Sequence, residues 1–308
     1  MINTIFDNQL LGYDNLFSNF SSLCIEGKFP KKIILSGKKG IGKSNFSKRF
    51  VNFLLTTDYL QSNISLSYDE FTKLPFSLNR HLNQNFYNIE VKENKKFIEV
   101  DQIRDLISFA QKKSFNNLPR FILIDNADKL NLNSSNSLLK ILEEPNDNMF
   151  FILIHDNQHK ILETINSRCI NFNVYFSYEK TLEIVNKILN LNICDYLNDD
   201  YLNSYFSIGE ILFLYNYSQI INLELKKKDL KEFINYIIFE KKYKTDPNVL
   251  SMTMRLIEVL FYKNFIQTKN IKFYDLYKNY TYKFSNTIKY NLDLEIFFLD
   301  FKNVALNE

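Results

Sequence analysis

The sequence predicts an α/β chain, with a mostly parallel sheet flanked by helices in its first part and helices alone in the rest. Short apolar runs typical of buried strands alternate with stretches of helical apolar spacing up to about residue 176. Beyond it, strand-like runs disappear and long patterns rich in Lys, Tyr, Phe and Leu follow. We expect three domains: an α/β domain over 1–176, a small helical lid over 177–225 and a helical C-terminal domain over 226–308.

The predicted elements of the α/β domain can be placed in chain order. Apolar runs predict strands over residues 31–36, 86–91, 121–124, 149–154 and 170–175. Helical spacing predicts helices over residues 43–55, 100–113 and 134–142. The last of these helices should end at Glu144-Pro145, because the residue before a proline disfavours helical geometry.

The composition is that of a folded protein with a strong amino-acid bias. A hydrophobic content of 45% and a charged content of 24% exclude the disordered and collagen-like classes. The chain has only 6 Gly and 5 Pro, so a cluster of glycines carries extra weight. A net charge of +3 is too small to argue for autonomous nucleic-acid binding.

Cysteine usage and the N-terminus bear on the compartment. The three cysteines are far apart and form neither a disulfide framework nor a zinc-binding pattern. The N-terminus lacks the basic and apolar regions of a signal peptide, and no apolar run reaches the length of a membrane span. We therefore expect a cytoplasmic protein with no membrane partner.

A phosphate-binding motif is the strongest local signal. The segment GKKGIGKS at residues 37–44 fits G-x-x-x-x-G-K-[ST], and it follows a predicted strand and opens a predicted helix. Glycines let the backbone N–H groups close around phosphate oxygens, and the lysine reaches the β- and γ-phosphates. We expect ATP and Mg²⁺ to bind here, although a glycine turn that has lost its nucleotide is the alternative. The residues assigned to nucleotide binding are Gly37, Gly40, Gly42, Lys43, Ser44 and Asp125.

An acidic residue, Asp125, is the candidate ligand for the Mg²⁺ of the nucleotide. Asp125 ends the predicted strand over 121–124, so its carboxylate should project beside the loop and hold Mg²⁺ together with Ser44. A helix-capping or turn aspartate is the alternative. The next residue is Asn126, whose amide cannot accept a proton as a carboxylate does. We expect nucleotide binding but not hydrolysis.

Four further segments carry a family resemblance. Residues 100–104 read VDQIR, 124–130 read IDNADKL, 136–145 read NSLLKILEEP and 167–169 read SRC. With the phosphate loop, their order resembles the AAA+ clamp-loader subunits of bacterial DNA polymerase III, most of all those of the delta-prime type. The resemblance is specific from about residue 10 to 176. It implies an AAA+ P-loop domain, a helical lid and a C-terminal domain that forms an oligomeric collar.

The resemblance also implies roles for single residues. Arg168 corresponds to an arginine finger that reaches ATP held by a neighbouring subunit; pairing with a local carboxylate is the alternative. Asn126 replaces a catalytic glutamate, and Gly209 stands where motor subunits carry a phosphate-sensing arginine. Asp156, after His155, lies near a polar sensing position, with a plain turn as an equal alternative.

Other departures narrow the prediction. Residues 56–99 contain no cysteine, which excludes the zinc module of some relatives, and His81 and His159 are isolated and interpreted as surface residues. The implied function is a stator subunit with weak or absent ATPase activity, acting with gamma/tau and delta subunits to place a sliding clamp on primer–template DNA. The alternatives are an active gamma/tau-type ATPase and a stand-alone P-loop ATPase. Aromatic runs at 260–262 and 297–299 fit either a core or the collar.

Overall fold

The computed structural model divides the chain into two compact units. They comprise Met1–Ile188 with Ser207–Gly209, and Leu189–Phe206 with Glu210–Glu308. The predicted boundaries at 176 and 225 stay a prediction. The structure describes residues 10–56, 68–73, 85–92, 95–112, 118–144, 148–157, 160–203 and 205–303.

The described part of the first unit contains a five-stranded sheet in which every neighbouring pair is parallel. The strands are β1 Lys32–Ser36, β2 Phe86–Ile89, β3 Arg120–Ile124, β4 Met149–His155 and β5 Ile170–Asn173. Their spatial order is β2-β3-β4-β1-β5. Two predicted strands, over 86–91 and 170–175, end earlier than expected.

Helices cover both faces of this sheet. They are α1 Asp14–Ile25, α2 Lys43–Thr56, α3 Tyr68–Lys73, α4 Val100–Gln111, α5 Leu132–Glu143, α6 Glu163–Asn166 and α7 Tyr178–Leu189. The helix α5 ends at Glu143 as predicted, while Pro145 lies outside the described residues. The helices α1, α3 and α6 were not predicted.

Two apolar clusters, one on each face, hold the layers together. Along β1 the side chains alternate: Ile33 and Leu35 join the cluster that contains Phe17, Phe46 and Phe50. Ile34 joins the opposite cluster, with Ile103 of α4 and Leu138 of α5. This period-two alternation is what a strand with both faces covered requires. The predicted α/β class with a parallel sheet is confirmed.

The second unit is built from helices in its described part, as predicted. A first helix, α8 Ile208–Ile220, begins in the first unit and continues into this one. It is followed by α9 Leu230–Phe239, α10 Pro247–Thr268, α11 Ile271–Lys289 and α12 Leu294–Phe301. Side chains such as Asp229, which accepts from the Glu232 N–H at 2.7 Å, cap the helix starts.

The aromatic runs of this unit divide between core and surface. Phe261 and Phe298 are buried, and the ring of Phe261 stacks on that of Tyr280 with centroids 5.7 Å apart. Their neighbours Tyr262 and Leu299 are 43% and 58% exposed. Neither a pure core nor a pure surface interpretation therefore fits these runs. No helix in the described ranges combines the length and apolar character needed to span a bilayer.

Candidate functional site

The phosphate-binding motif forms a loop between β1 and α2. Its first glycine is anchored to the neighbouring strand, since the Gly37 N–H donates to the His155 carbonyl at 3.1 Å. A Cβ at Gly37 would overlap the Val174 carbonyl oxygen. Gly40 and Gly42 have φ values of 81° and 97°, in the left-handed region that favours glycine. The glycines that the motif requires are thus needed by the backbone itself.

Lys43 is buried, with its side chain 2% exposed. Its ammonium group donates to the carbonyl oxygens of Gly37 at 2.8 Å and Lys38 at 2.6 Å. It also forms an ion pair with Asp156 Oδ1 at 2.8 Å. Burial lowers the pKa of Lys43, and the negative charge of Asp156 opposes this shift.

Ser44 and Asp125 lie together beside the loop. The Ser44 hydroxyl is buried and has no well-formed hydrogen bond among the described residues. Burial raises the pKa of Asp125, while the adjacent Ser44 hydroxyl and the Lys48 ammonium work against the rise. A hydroxyl and a carboxylate are hard oxygen ligands of the kind that Mg²⁺ prefers. The chemistry of the two residues therefore fits the metal of a nucleotide complex, and their assignment as metal ligands stays a prediction.

The turn after β3 explains the position of Asn126. This residue adopts φ 57° and ψ 57°, a left-handed conformation that asparagine tolerates better than most residues. Its side-chain amide lies 3.4 Å from Asp125 Oδ1 and donates to it. Two residues later, the Asp128 side chain is buried and its charge also acts on Lys43. Asn126 is therefore a partner of Asp125 and offers no proton acceptor comparable to a carboxylate.

Tyr13 contacts the phosphate loop, although it was not predicted as part of this site. The Tyr13 hydroxyl donates to the Ile41 carbonyl in the loop at 3.1 Å. Its ring stacks on Phe46 of α2, with centroids 4.8 Å apart. Nothing in the sequence near residue 13 carries a phosphate-site signal, because the contact depends on how α1 packs against α2.

Gly209 lies against the loop at the start of α8, within the same compact unit. Its N–H donates to the Gly40 carbonyl at 2.9 Å. A Cβ at Gly209 would lie 2.9 Å from the Gly40 oxygen and 3.0 Å from the Gly40 Cα, which is closer than side chains come to a backbone. The position at which the resemblance places a sensing arginine in motor subunits thus leaves no room for a side chain in this structure.

Arg168 lies apart from the loop. Because β5 runs parallel to β1 with Ile170 beside Ile33, Arg168 lies at the amino ends of the strands, whereas Gly37 follows the carboxyl end of β1. Its guanidinium donates to Glu143 Oε1 at 2.8 Å and to the Thr164 carbonyl at 2.9 Å. The local carboxylate pairing that was the alternative is therefore present. The Arg168 side chain is nevertheless 34% exposed.

Some predicted residues cannot be placed. His81 and His159 lie outside the described residues, as does the proline of the EEP segment. The structure brings together the loop glycines, Lys43, Ser44 and Asp125. It places Arg168 at the amino ends of the strands, away from the loop at their carboxyl ends.

Comparison with known proteins adds a family match. A family model described as DNA polymerase III, delta subunit, matches residues 12–176, more than half of the chain. The DNA polymerase III subunit delta' of Pseudomonas aeruginosa is 36% identical over 85 residues, which cover 28% of this chain and 26% of that protein. The DNA polymerase III subunit gamma of Buchnera aphidicola (Schizaphis graminum) is 30% identical over 178 residues, covering 56% and 46%.

A solved structure is also similar. A DNA polymerase III gamma subunit-related protein from Thermotoga maritima superposes with a TM-score of 0.49 at 11% identity, covering 94% of this chain and 98% of that chain. The alignments with the two curated relatives span only about a quarter and about half of those proteins.

Proposed function

The chain belongs to the DNA polymerase III delta-subunit family, and from this premise we propose that it is a delta-prime-like stator of the clamp loader. In this role it assists ATP-dependent placement of a sliding clamp on primer–template DNA in the cytoplasm. Its partners are gamma/tau and delta subunits, which bring the chain into contact with clamp and DNA. The chain itself binds ATP with Mg²⁺ and hydrolyses it weakly or not at all.

The position of Arg168 carries the proposal. A guanidinium at the amino ends of the strands cannot serve the phosphate loop at their carboxyl ends in the same chain. It is available to a nucleotide held by a neighbouring subunit instead. A planar, permanently charged guanidinium that bridges phosphate oxygens is suited to stabilise charge in the transition state of phosphoryl transfer.

Two residues outside the phosphate loop but close to it support weak hydrolysis. Asn126 supplies an amide where a general base would be needed. Gly209 packs its backbone on Gly40 and presents no cation to the γ-phosphate. Both features leave the binding residues Lys43, Ser44 and Asp125 in place.

Reconstitution of the complex with motor subunits tests this proposal. We expect Arg168→Ala to lower DNA-stimulated ATPase and clamp loading by at least about tenfold, because finger arginines contribute far more than this in other phosphoryl-transfer proteins. Arg104→Ala is the matched control, since Arg104 is an exposed arginine paired with Asp101 at 2.8 Å on α4. Equal activity of the Arg168→Ala and control complexes would contradict the finger assignment.

The complete phosphate loop favours a second candidate, an active gamma/tau-type ATPase. Ser44 and Asp125 offer the oxygen ligands that Mg²⁺ prefers, which supports a loop able to bind the nucleotide of an active ATPase. Steady-state ATP hydrolysis by the isolated chain separates the two candidates. A turnover of about 1 per second, within the range of working enzymes, would favour the motor; negligible turnover supports the stator.

A further inference from the structure

The ion pair between Lys43 and Asp156 satisfies the lysine completely. An ammonium group has three hydrogen-bond donors and no acceptor. In this structure, the three acceptors are the carbonyl oxygens of Gly37 and Lys38 and the Asp156 carboxylate, all within 2.8 Å. A phosphate oxygen that binds Lys43 must therefore replace one of these partners.

The sheet holds Asp156 in this place. It directly follows β4, whose last residue His155 pairs with Ser36 at the end of β1. The N–H of Gly37 donates to the His155 carbonyl at 3.1 Å, so the start of the loop and the end of β4 are joined. The Asp156 side chain is only 10% exposed. Its carboxylate is thus positioned by the backbone of two central strands and does not depend on a mobile surface side chain.

The charge of Asp156 has the same sign as a phosphate group. The charges of Asp125 and Asp128 also act on Lys43, so this lysine feels three carboxylates. Asp156 is the one that contacts the ammonium directly. Like charges brought together in a desolvated site repel one another more strongly than they do in water. A triphosphate entering the loop meets this opposition at the same group that should attract it.

We propose that Asp156 is an internal competitor for the phosphate groups of the nucleotide and keeps the affinity of the loop for ATP low. This inference rests on the loop being the nucleotide site of the proposed function. Asp156 thereby limits the affinity for the nucleotide, because its carboxylate takes the place at Lys43 that a phosphate oxygen needs. A nucleotide binds by displacing Asp156 from the ammonium group, which remains held by its two carbonyl partners.

Calorimetric titration of the full chain with ATP and Mg²⁺ tests the inference. We expect Asp156→Asn to bind at least about tenfold more tightly than the wild type, because the amide keeps the shape and an acceptor oxygen but removes the charge. Asp156→Ser, which is also neutral, should bind ATP more tightly than the wild type too, and it replaces Asp156→Asn in the experiment if that variant does not fold. Lys43→Ala should abolish the gain in either background.

Asp128→Asn is the matched control. It removes a buried carboxylate that acts on Lys43 without an ion pair to it, and we expect less than about a threefold change in affinity. An equal gain for this control would mean that general charge in the pocket, not the Asp156 contact, sets the affinity. That result overturns the proposal, as does unchanged or absent ATP binding at millimolar concentration in both Asp156 variants.

This experiment is independent of the stator assignment. It reads nucleotide binding by the isolated chain, whereas the Arg168→Ala reconstitution reads the effect on neighbouring subunits. A failed finger test with a positive Asp156→Asn result would refute the stator mechanism and leave the competitor role intact. A positive Arg168→Ala finger test with no gain in ATP affinity in Asp156→Asn would refute only the competitor role of Asp156.

Discussion

Two cations of this chain are each paired with a carboxylate at 2.8 Å, in different surroundings. Lys43 and Asp156 have side chains that are 2% and 10% exposed, whereas Arg168 and Glu143 are 34% and 52% exposed. Distance alone would rank the two pairs as equal. Solvent screens the second pair, while the first keeps most of its interaction but carries a desolvation cost.

The difference matches the two roles proposed for these cations. Lys43 is held inside its own chain by three partners, of which a ligand must displace Asp156. Arg168 sits at the surface in a weak pair, which it can leave at little cost to meet a neighbouring molecule. Burial therefore separates a cation committed to an internal site from one available for an external partner.

The largest expected effect comes from breaking the buried pair. Asp156→Ala removes the carboxylate and leaves a buried ammonium without its counter-charge, so we expect a loss of about 3 kcal/mol of unfolding free energy. Urea unfolding at neutral pH measures it. Asp101→Ala, which breaks the exposed pair with Arg104, should change stability by less than about 1 kcal/mol. Similar losses in the two variants would refute the ranking by burial.

The backbone contact behind the loop should give the next largest effect. Gly209→Ala places a Cβ 2.9 Å from the Gly40 carbonyl oxygen, and overpacking of this kind costs about 1–3 kcal/mol. Thermal and urea unfolding of the variant measure the loss. A loss below about 0.5 kcal/mol would show that the loop yields to the added methyl group.

The surface pair should give a small, salt-dependent effect. Glu143→Gln removes the charge opposite Arg168, and we expect a change of less than about 1 kcal/mol at low salt. The change should shrink further at about 1 M salt, where the Debye length is about 3 Å. Unfolding of the wild type and the variant at the two salt concentrations checks this. A large change in unfolding free energy that salt does not alter would mean that the Arg168–Glu143 pair behaves like the buried Lys43–Asp156 pair.

The smallest effect concerns Glu295 in the second unit, whose side chain is 36% exposed and contacts Lys241 at 3.0 Å and also Lys244. These lysines lower the pKa of Glu295 from 4.5 to about 2. Because the folded-state pKa is depressed, the contribution is complete above pH 4.5 and is lost as pH falls towards 2. The difference in melting temperature between wild type and Glu295→Gln should therefore narrow over this range. A difference that is constant with pH would contradict the assignment.

The fold and part of the site could be predicted for the same reason. Strands and helices are indicated by the local spacing of apolar residues. The loop glycines and Lys43 all lie within residues 37–43, so one short segment specifies both the geometry and the chemistry of the loop. The strand ends at Ile89 and Asn173 were predicted too late, because pairing with β3 and β1 stops before the apolar runs do.

Other contacts of the phosphate loop come from residues that are distant along the chain. The packing of α1 brings Tyr13 to the Ile41 carbonyl, and the start of α8 brings Gly209 to the Gly40 carbonyl. Asp156 was noted in the sequence, yet only the pairing of β4 with β1 sets its carboxylate on Lys43.

Local pattern therefore predicted the five strands, the helices α2, α4 and α5 and the phosphate loop, since each depends on neighbouring residues alone. The role of Arg168 followed from the family resemblance and stays a prediction. Tertiary packing decided which charges meet and how far water is excluded from them. Those two quantities control the strength of an ion pair, so they also control what Lys43 and Arg168 are free to bind.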